Sequence, residues 1–174
     1  MDPVTRLVHL LALATYAGTT LALVAVFLPV VGAEDDPAVQ RRLLARGLRP
    51  YNVLSVGALG VFVISGASAI TDLKAMLGPH FAQLIWPLAG KLALSFALIM
   101  VGTYVSFGLA HRLVRAEQGR LPIDAAVQHG MVRRLRGGCL LALALVVWTT
   151  WVGIGLRRPL PAPPTPVATP AVPD

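Results

Sequence analysis

Charge is scarce in this 174-residue chain: 13% of its residues are Asp, Glu, Lys or Arg, and only eight are acidic. A chain so poor in charge and 56% hydrophobic cannot cover itself with the polar surface that a soluble domain of this length needs, so it reads as a membrane protein. Cysteine is scarcer still. The single Cys139 excludes an intramolecular disulfide and any site built on paired cysteines, and it is expected to be a small packing residue. P-loop, HExxH and glycine-rich dinucleotide signatures are absent. Met76, Met100 and Met131 are too scattered to form a copper-binding methionine cluster and are expected to pack.

What the chain does have is long apolar runs. Four of them, at about 4–31, 53–73, 88–110 and 138–156, match the ~20 residues needed to cross a ~30 Å hydrocarbon core. The expected fold is therefore all-α: an integral membrane four-helix bundle over residues 1–158, followed by a Pro-rich extended tail at 159–174. No room is left for a soluble catalytic domain. Val31-Gly32-Ala33 resembles a small-residue cleavage site, but the run before it is about twice the length of a 7–15-residue secretory core, so the first span is expected to be retained.

The cations set the orientation. Ten arginines fall in the loops between spans one and two (Arg41, Arg42, Arg46, Arg49) and between spans three and four (Arg112, Arg115, Arg120, Arg133, Arg134, Arg136). Five cations, Arg6, Lys74, Lys91, Arg157 and Arg158, belong to the opposite side. The positive-inside bias then puts both termini on the outer (periplasmic) side of a bacterial inner (cytoplasmic) membrane, with Trp86, Trp148 and Trp151 near the outer interface. The net charge of +7 is accounted for by topology and anionic lipid; the bilayer is the expected partner, and no nucleic acid is required. Small residues four apart, Ala14 with Gly18, Gly18 with Ala22 and Gly102 with Ser106, together with Ser55, Gly57, Gly60, Ser65 and Gly66, point to close helix packing.

Against this apolar ground two titratable side chains stand out: His9 lies inside the first run and Lys91 opens the third. A charge in a span costs ~2.5–3.5 kcal/mol on insertion scales, so each is a functional candidate. Helical spacing puts His9, Leu13, Tyr16 and Thr20 on one face, and Lys91, Ser95, Leu98 and Gly102 on another. Both faces are expected to turn inward and to bring His9 and Lys91 together in the outer half of the bundle. A neutral imidazole there can ligate a metal or haem, and a nearby cation can pair with a haem propionate. Competing readings are a histidine bonded to a headgroup or carbonyl and a lysine that snorkels along its stem, four residues past Pro87. His80, in the turn Gly78-Pro79-His80, is a candidate metal ligand from the outer loop. His111 and His129 belong at the inner interface.

Arg6-Leu7-Val8-His9, Tyr16-Ala17-Gly18, Arg41-Arg42-Leu43 with Pro50 and Gly60, and Lys91 at the start of span three resemble, over about 4–112, a known superfamily. It comprises the four-helix haem-containing protoporphyrinogen oxidases and the membrane domain of copper-resistance protein D. The resemblance implies a haem b or copper-associated membrane protein, with His9 as axial ligand and Arg6, Tyr16 and Lys91 as its companions in the cofactor site. The chain departs from the pattern in three places. Tyr16 stands where tryptophan is usual, Thr19-Thr20-Leu21-Ala22 replaces a Phe-Tyr-Leu-Pro-Arg-like stretch, and Arg136-Gly137 replaces an Asn-Glu pair. A divergent member fits these departures, either a haem-dependent oxidoreductase or a non-enzymatic electron-transfer protein. Two other classes remain open: an accessory subunit of a larger respiratory or photosynthetic membrane complex, and a small transporter, for which no broken-helix pair or inverted repeat is visible.

Overall fold

The computed structural model describes residues 3–78, 81–82, 85–119 and 124–155, with the side chains of 125 and 155 set aside. Apart from single turns, the described residues are helical, and four helices are long and apolar enough to cross a membrane: α1 (Pro3–Gly32), α2 (Pro37–Leu77), α3 (Ile85–Glu117) and α4 (Ala125–Gly155). The Pro-rich tail and His80 lie outside the described residues. At most 28% of the best apolar window of any helix is buried, so most of its residues face outward, where lipid is the only solvent that suits them. Trp86, Trp148 and Trp151 are among the most exposed side chains, all at the end of the bundle that holds His9.

The arginine-bearing segments are helix and not loop. Arg41, Arg42, Arg46 and Arg49 ride the first turns of α2, and Arg133, Arg134 and Arg136 ride α4, which starts 13 residues before the expected 138. Charge ends an apolar run without ending a helix, because the backbone hydrogen bonds continue while the side chains reach for water. Between α1 and α2 only a short acidic turn remains, Glu34-Asp35-Asp36. Asp36 caps α2, its carboxylate accepting from the Ala38 amide at 2.8 Å, and Pro37 occupies the first helical position. Three carboxylates at that helix start also oppose the positive end of its dipole. Gly78, at φ +49°, ends α2 in a conformation that suits only glycine well.

Two stretches widen to π-helix: Leu23–Phe27 in α1 and Tyr104–Ala110 in α3. Both fall in the arginine-rich half of the bundle. There Leu23, Val24, Leu28, Leu44, Leu48, Val105, Leu109 and Leu135 form the larger buried cluster. A smaller cluster, Tyr16, Ala58, Leu59, Leu98, Ala142 and Val146, lies toward the His9 end.

Close approach depends on a subset of the small residues. A Cβ at Gly102 would stand 2.6 Å from Leu59 Cδ1 and 3.0 Å from the Tyr16 hydroxyl; one at Gly138 would stand 2.6 Å from Val105 Cγ2; one at Gly47 would collide with the Phe27 ring. These contacts fix the registers of α1 on α2, α1 on α3 and α3 on α4. Gly18, Gly57 and Gly60 meet nothing within 4 Å, so the Ala14, Gly18, Ala22 row faces outward and packs no helix of this bundle. The arginine-rich end is tied by polar links: Arg41 Nε donates to Gln128 Oε1 at 3.1 Å, Gln128 Nε2 to Gln40 Oε1 at 3.0 Å, and Gln40 Nε2 to the Val31 carbonyl at 3.3 Å. Arg49 and Glu117 pair at 3.0 Å.

Gly102→Val is expected to lower stability by ~1–3 kcal/mol through overpacking, whereas Gly18→Ala should stay within ~0.5 kcal/mol of the parent. Thermal unfolding of both variants in detergent checks the pair.

Candidate functional site: a polar column inside the bundle

α1 carries its polar stripe inward. Thr20 is fully buried, Tyr16 is 1% exposed, and His9 is half-buried nearer the helix start. The stripe of α3 does the same, with Leu98 and Gly102 buried and Lys91 and Ser95 half-buried. On α4 the inward row is Leu135, Cys139, Ala142, Val146 and Thr149, with Gly153 half-buried at its end. On α2 it is Tyr51, Ser55, Ala58, Phe62 and Ser65. Spacings of three and four residues put each row on one face of its helix.

At one end the rows of α1 and α2 meet at His9. Its Nδ1 is hydrogen-bonded to Ser65 Oγ at 2.9 Å, and its ring stacks on Phe62 with centroids 4.6 Å apart and planes 24° from parallel. Gly66 lies beside the ring, where a Cβ would make ordinary van der Waals contact, 3.5 Å from His9 Cε1. From the facing side Lys91 brings its ammonium beside Gly153 of α4, 3.5 Å from where a Cβ would be, and its charge acts on the His9 imidazole. One turn in from Gly153, Thr149 buries its hydroxyl at 3% exposure without a hydrogen-bond partner among the described residues.

Deeper in the bundle is a second polar group drawn from all four helices. Ser55 and Ser106 hydroxyls meet at 3.2 Å between α2 and α3; Tyr51 and Cys139 meet at 3.8 Å between α2 and α4; Thr20 donates to the Tyr16 carbonyl at 2.7 Å. Such pairs hold membrane helices together where lipid supplies no hydrophobic drive. The Tyr16 hydroxyl points at Gly102 and, among the described residues, has no hydrogen-bond partner.

The sequence-derived residues therefore divide. His9 and Lys91 face one another's neighbourhood at one end of the bundle, and Tyr16 lies on the same stripe about two turns deeper, in the smaller apolar cluster. Arg6, although three residues from His9 and so on a neighbouring part of the helix face, is exposed and lines a shallow outer groove with Pro3, Leu7 and Leu10. His111 and His129 are exposed near the arginine-rich end. Ser65 and Phe62, the partners of His9, and Thr149 were not visible as site residues in the sequence. The available signal was that Tyr51, Ser55, Phe62 and Ser65 share one 3–4 row on α2. Among the described residues no three His, Cys, Asp or Glu side chains come together as a metal-binding group.

No protein-family model matches the chain, and neither curated proteins nor solved structures give a significant match.

A buried hydroxyl without a partner costs ~1–3 kcal/mol. Tyr16→Phe is therefore expected to preserve or raise thermal stability, while Ser106→Ala, which strips Ser55 of an interhelical partner, should lower it by ~0.6 kcal/mol. A loss above ~1 kcal/mol for Tyr16→Phe would show that the hydroxyl is engaged in the membrane-embedded protein.

Proposed function

We propose that this chain is a four-span protein of the bacterial inner membrane, with both termini outside, that holds haem b through His9 and serves redox or electron transfer. The observation that carries the reading is the setting of His9. It is an imidazole inside an apolar bundle with one ring nitrogen engaged by Ser65, its ring stacked on Phe62 beside Gly66, and the Lys91 ammonium at the same end of the bundle. Histidines that ligate metals are commonly oriented in this way, by a hydrogen bond on the nitrogen that does not ligate.

The donor set fits a porphyrin better than a copper ion. Copper held by protein alone needs several ligands, and the described residues assemble no group of three. A porphyrin supplies four nitrogens of its own and asks the protein for an axial imidazole and a cation for its carboxylates. His9 and Lys91 are of those types. Bound haem would supply a one-electron couple; the chain's own residues would orient the imidazole, pair the propionate charge and keep water from the apolar face. The departures from the porphyrinogen-oxidising pattern favour electron transfer over oxidation of a porphyrinogen.

Protein purified in mild detergent from its native membrane is expected to show a Soret band, with alpha and beta bands on dithionite reduction, that are lost in His9→Ala. In Lys91→Gln the bands should persist with reduced haem occupancy. Absence of haem from native-membrane protein overturns the reading. The orientation is tested separately: alkaline phosphatase fused after the last residue should be active and a fluorescent protein at the same place dark, and the reverse pattern would invert the topology.

A further inference from the structure

Imidazole has two chemically distinct nitrogens, and in a neutral ring only one carries the proton. The surroundings of His9 decide which. Ser65 Oγ stands 2.7 Å from the Val61 carbonyl oxygen and 3.2 Å from that of Phe62. Two oxygens at 2.7 Å attract only with a proton between them, and a carbonyl has none to give. The single hydroxyl proton of Ser65 is therefore donated to Val61, as serines inside helices commonly do one turn back. What Ser65 presents to His9 is a lone pair. The 2.9 Å separation from His9 Nδ1 is then a hydrogen bond only if Nδ1 brings the proton.

We infer that Ser65 is the positioning residue of this site: it holds neutral His9 as the Nδ1–H tautomer and so leaves Nε2 as the only ring nitrogen with a lone pair to offer. Nε2 can ligate a metal or accept a hydrogen bond or a proton, and it cannot donate. A ligand that needed a donor from His9 would meet the wrong nitrogen; one that offers an empty coordination position or a polar hydrogen would meet the right one. The geometry of Ser65 carries this assignment whether or not the haem reading stands, because a metal on Nε2 and a lone pair on Nε2 require the same proton on Nδ1.

The full chain, labelled with 15N-histidine in lipid, is measured by nuclear magnetic resonance under dithionite and carbon monoxide, so that any haem iron is diamagnetic. The His9 signals are assigned by their loss in His9→Gln. The expected result is a proton coupled to Nδ1 and none to Nε2. A proton on Nε2, or on both nitrogens, overturns the assignment. In Ser65→Ala protein free of haem the proton should redistribute to Nε2, the form imidazole favours in water; with iron on Nε2 the proton stays on Nδ1, and its resonance should shift because its acceptor is lost. Ser65→Thr, whose hydroxyl can make the same bond to the backbone, should keep it on Nδ1. A haem-free Ser65→Ala variant that keeps the proton on Nδ1, or a haem-bound one whose Nδ1–H resonance does not move, would remove Ser65 from the role even if the tautomer is as assigned. The optical spectrum of the same sample reports haem independently, so a failure of the haem reading and a failure of the tautomer assignment are seen apart.

Discussion

A polar side chain inside an apolar bundle is far from bulk water, so its hydroxyl depends on what its own helix and its neighbours can offer. Several spend their proton on the carbonyl one turn back: Thr20 and Ser65 inside the bundle, and Thr19, Ser68, Thr71 and Thr150 on less buried faces. That bond satisfies the group locally and leaves an oxygen lone pair pointing sideways from the helix. Where the lone pair faces another helix, it becomes an acceptor of fixed direction. Ser65 and His9 are the case in which this matters chemically, since the backbone of α2, by taking the serine proton, sets the state of a histidine on α1.

The same constraint explains why the bundle sorts its contents by depth. Paired hydroxyls and the tyrosine-cysteine contact occupy the middle, where an unpaired group costs most. Groups that retain chemical capacity, His9 and Lys91, lie nearer one end, and the amide and guanidinium links gather at the other. The two π-helical stretches sit beside the larger apolar cluster and not beside His9, so the part of α1 that carries His9, Pro3–Ala22, is regular α-helix. A regular helix holds a ligating side chain in a steadier direction than a widened turn.

Much of this was legible in the sequence, and the divide follows the range of the interactions. Four spans could be read because an apolar run of membrane length has few other uses. The inward faces of α1 and α3 could be read because periodicity on one helix is a local property, and the rows His9 to Thr20 and Lys91 to Gly102 do turn inward. Helix ends were misread at Arg41–Arg49 and Arg133–Arg136, where charge was taken for loop, because hydropathy reports the solvent of a side chain and not the hydrogen bonding of its backbone. Gly18 was misread for a related reason. A small residue permits close approach and does not compel it, and the partner surface that decides is absent from the local sequence.

The partners of His9 were beyond reach of any local argument, since Ser65 is 56 residues away and its significance lies in a rotamer. Yet their consequence is larger than that of the residues the sequence did flag. Tyr16 was grouped with His9 by spacing and Arg6 by the family resemblance, and the fold exposes Arg6 and sets Tyr16 about two turns deeper. What replaces them is a clamp made wholly by α2: Phe62 under the ring, Gly66 beside it and Ser65 on its nitrogen. These three lie within five residues of one helix, so a single rigid turn fixes the plane, the rotation and the protonation of the imidazole at once. A site whose orientation comes from one helix and whose charge comes from another can be tuned at Lys91 without disturbing the geometry at His9. That separation suits the haem site proposed for His9, because the potential of such a centre depends on nearby charge while ligation depends on direction.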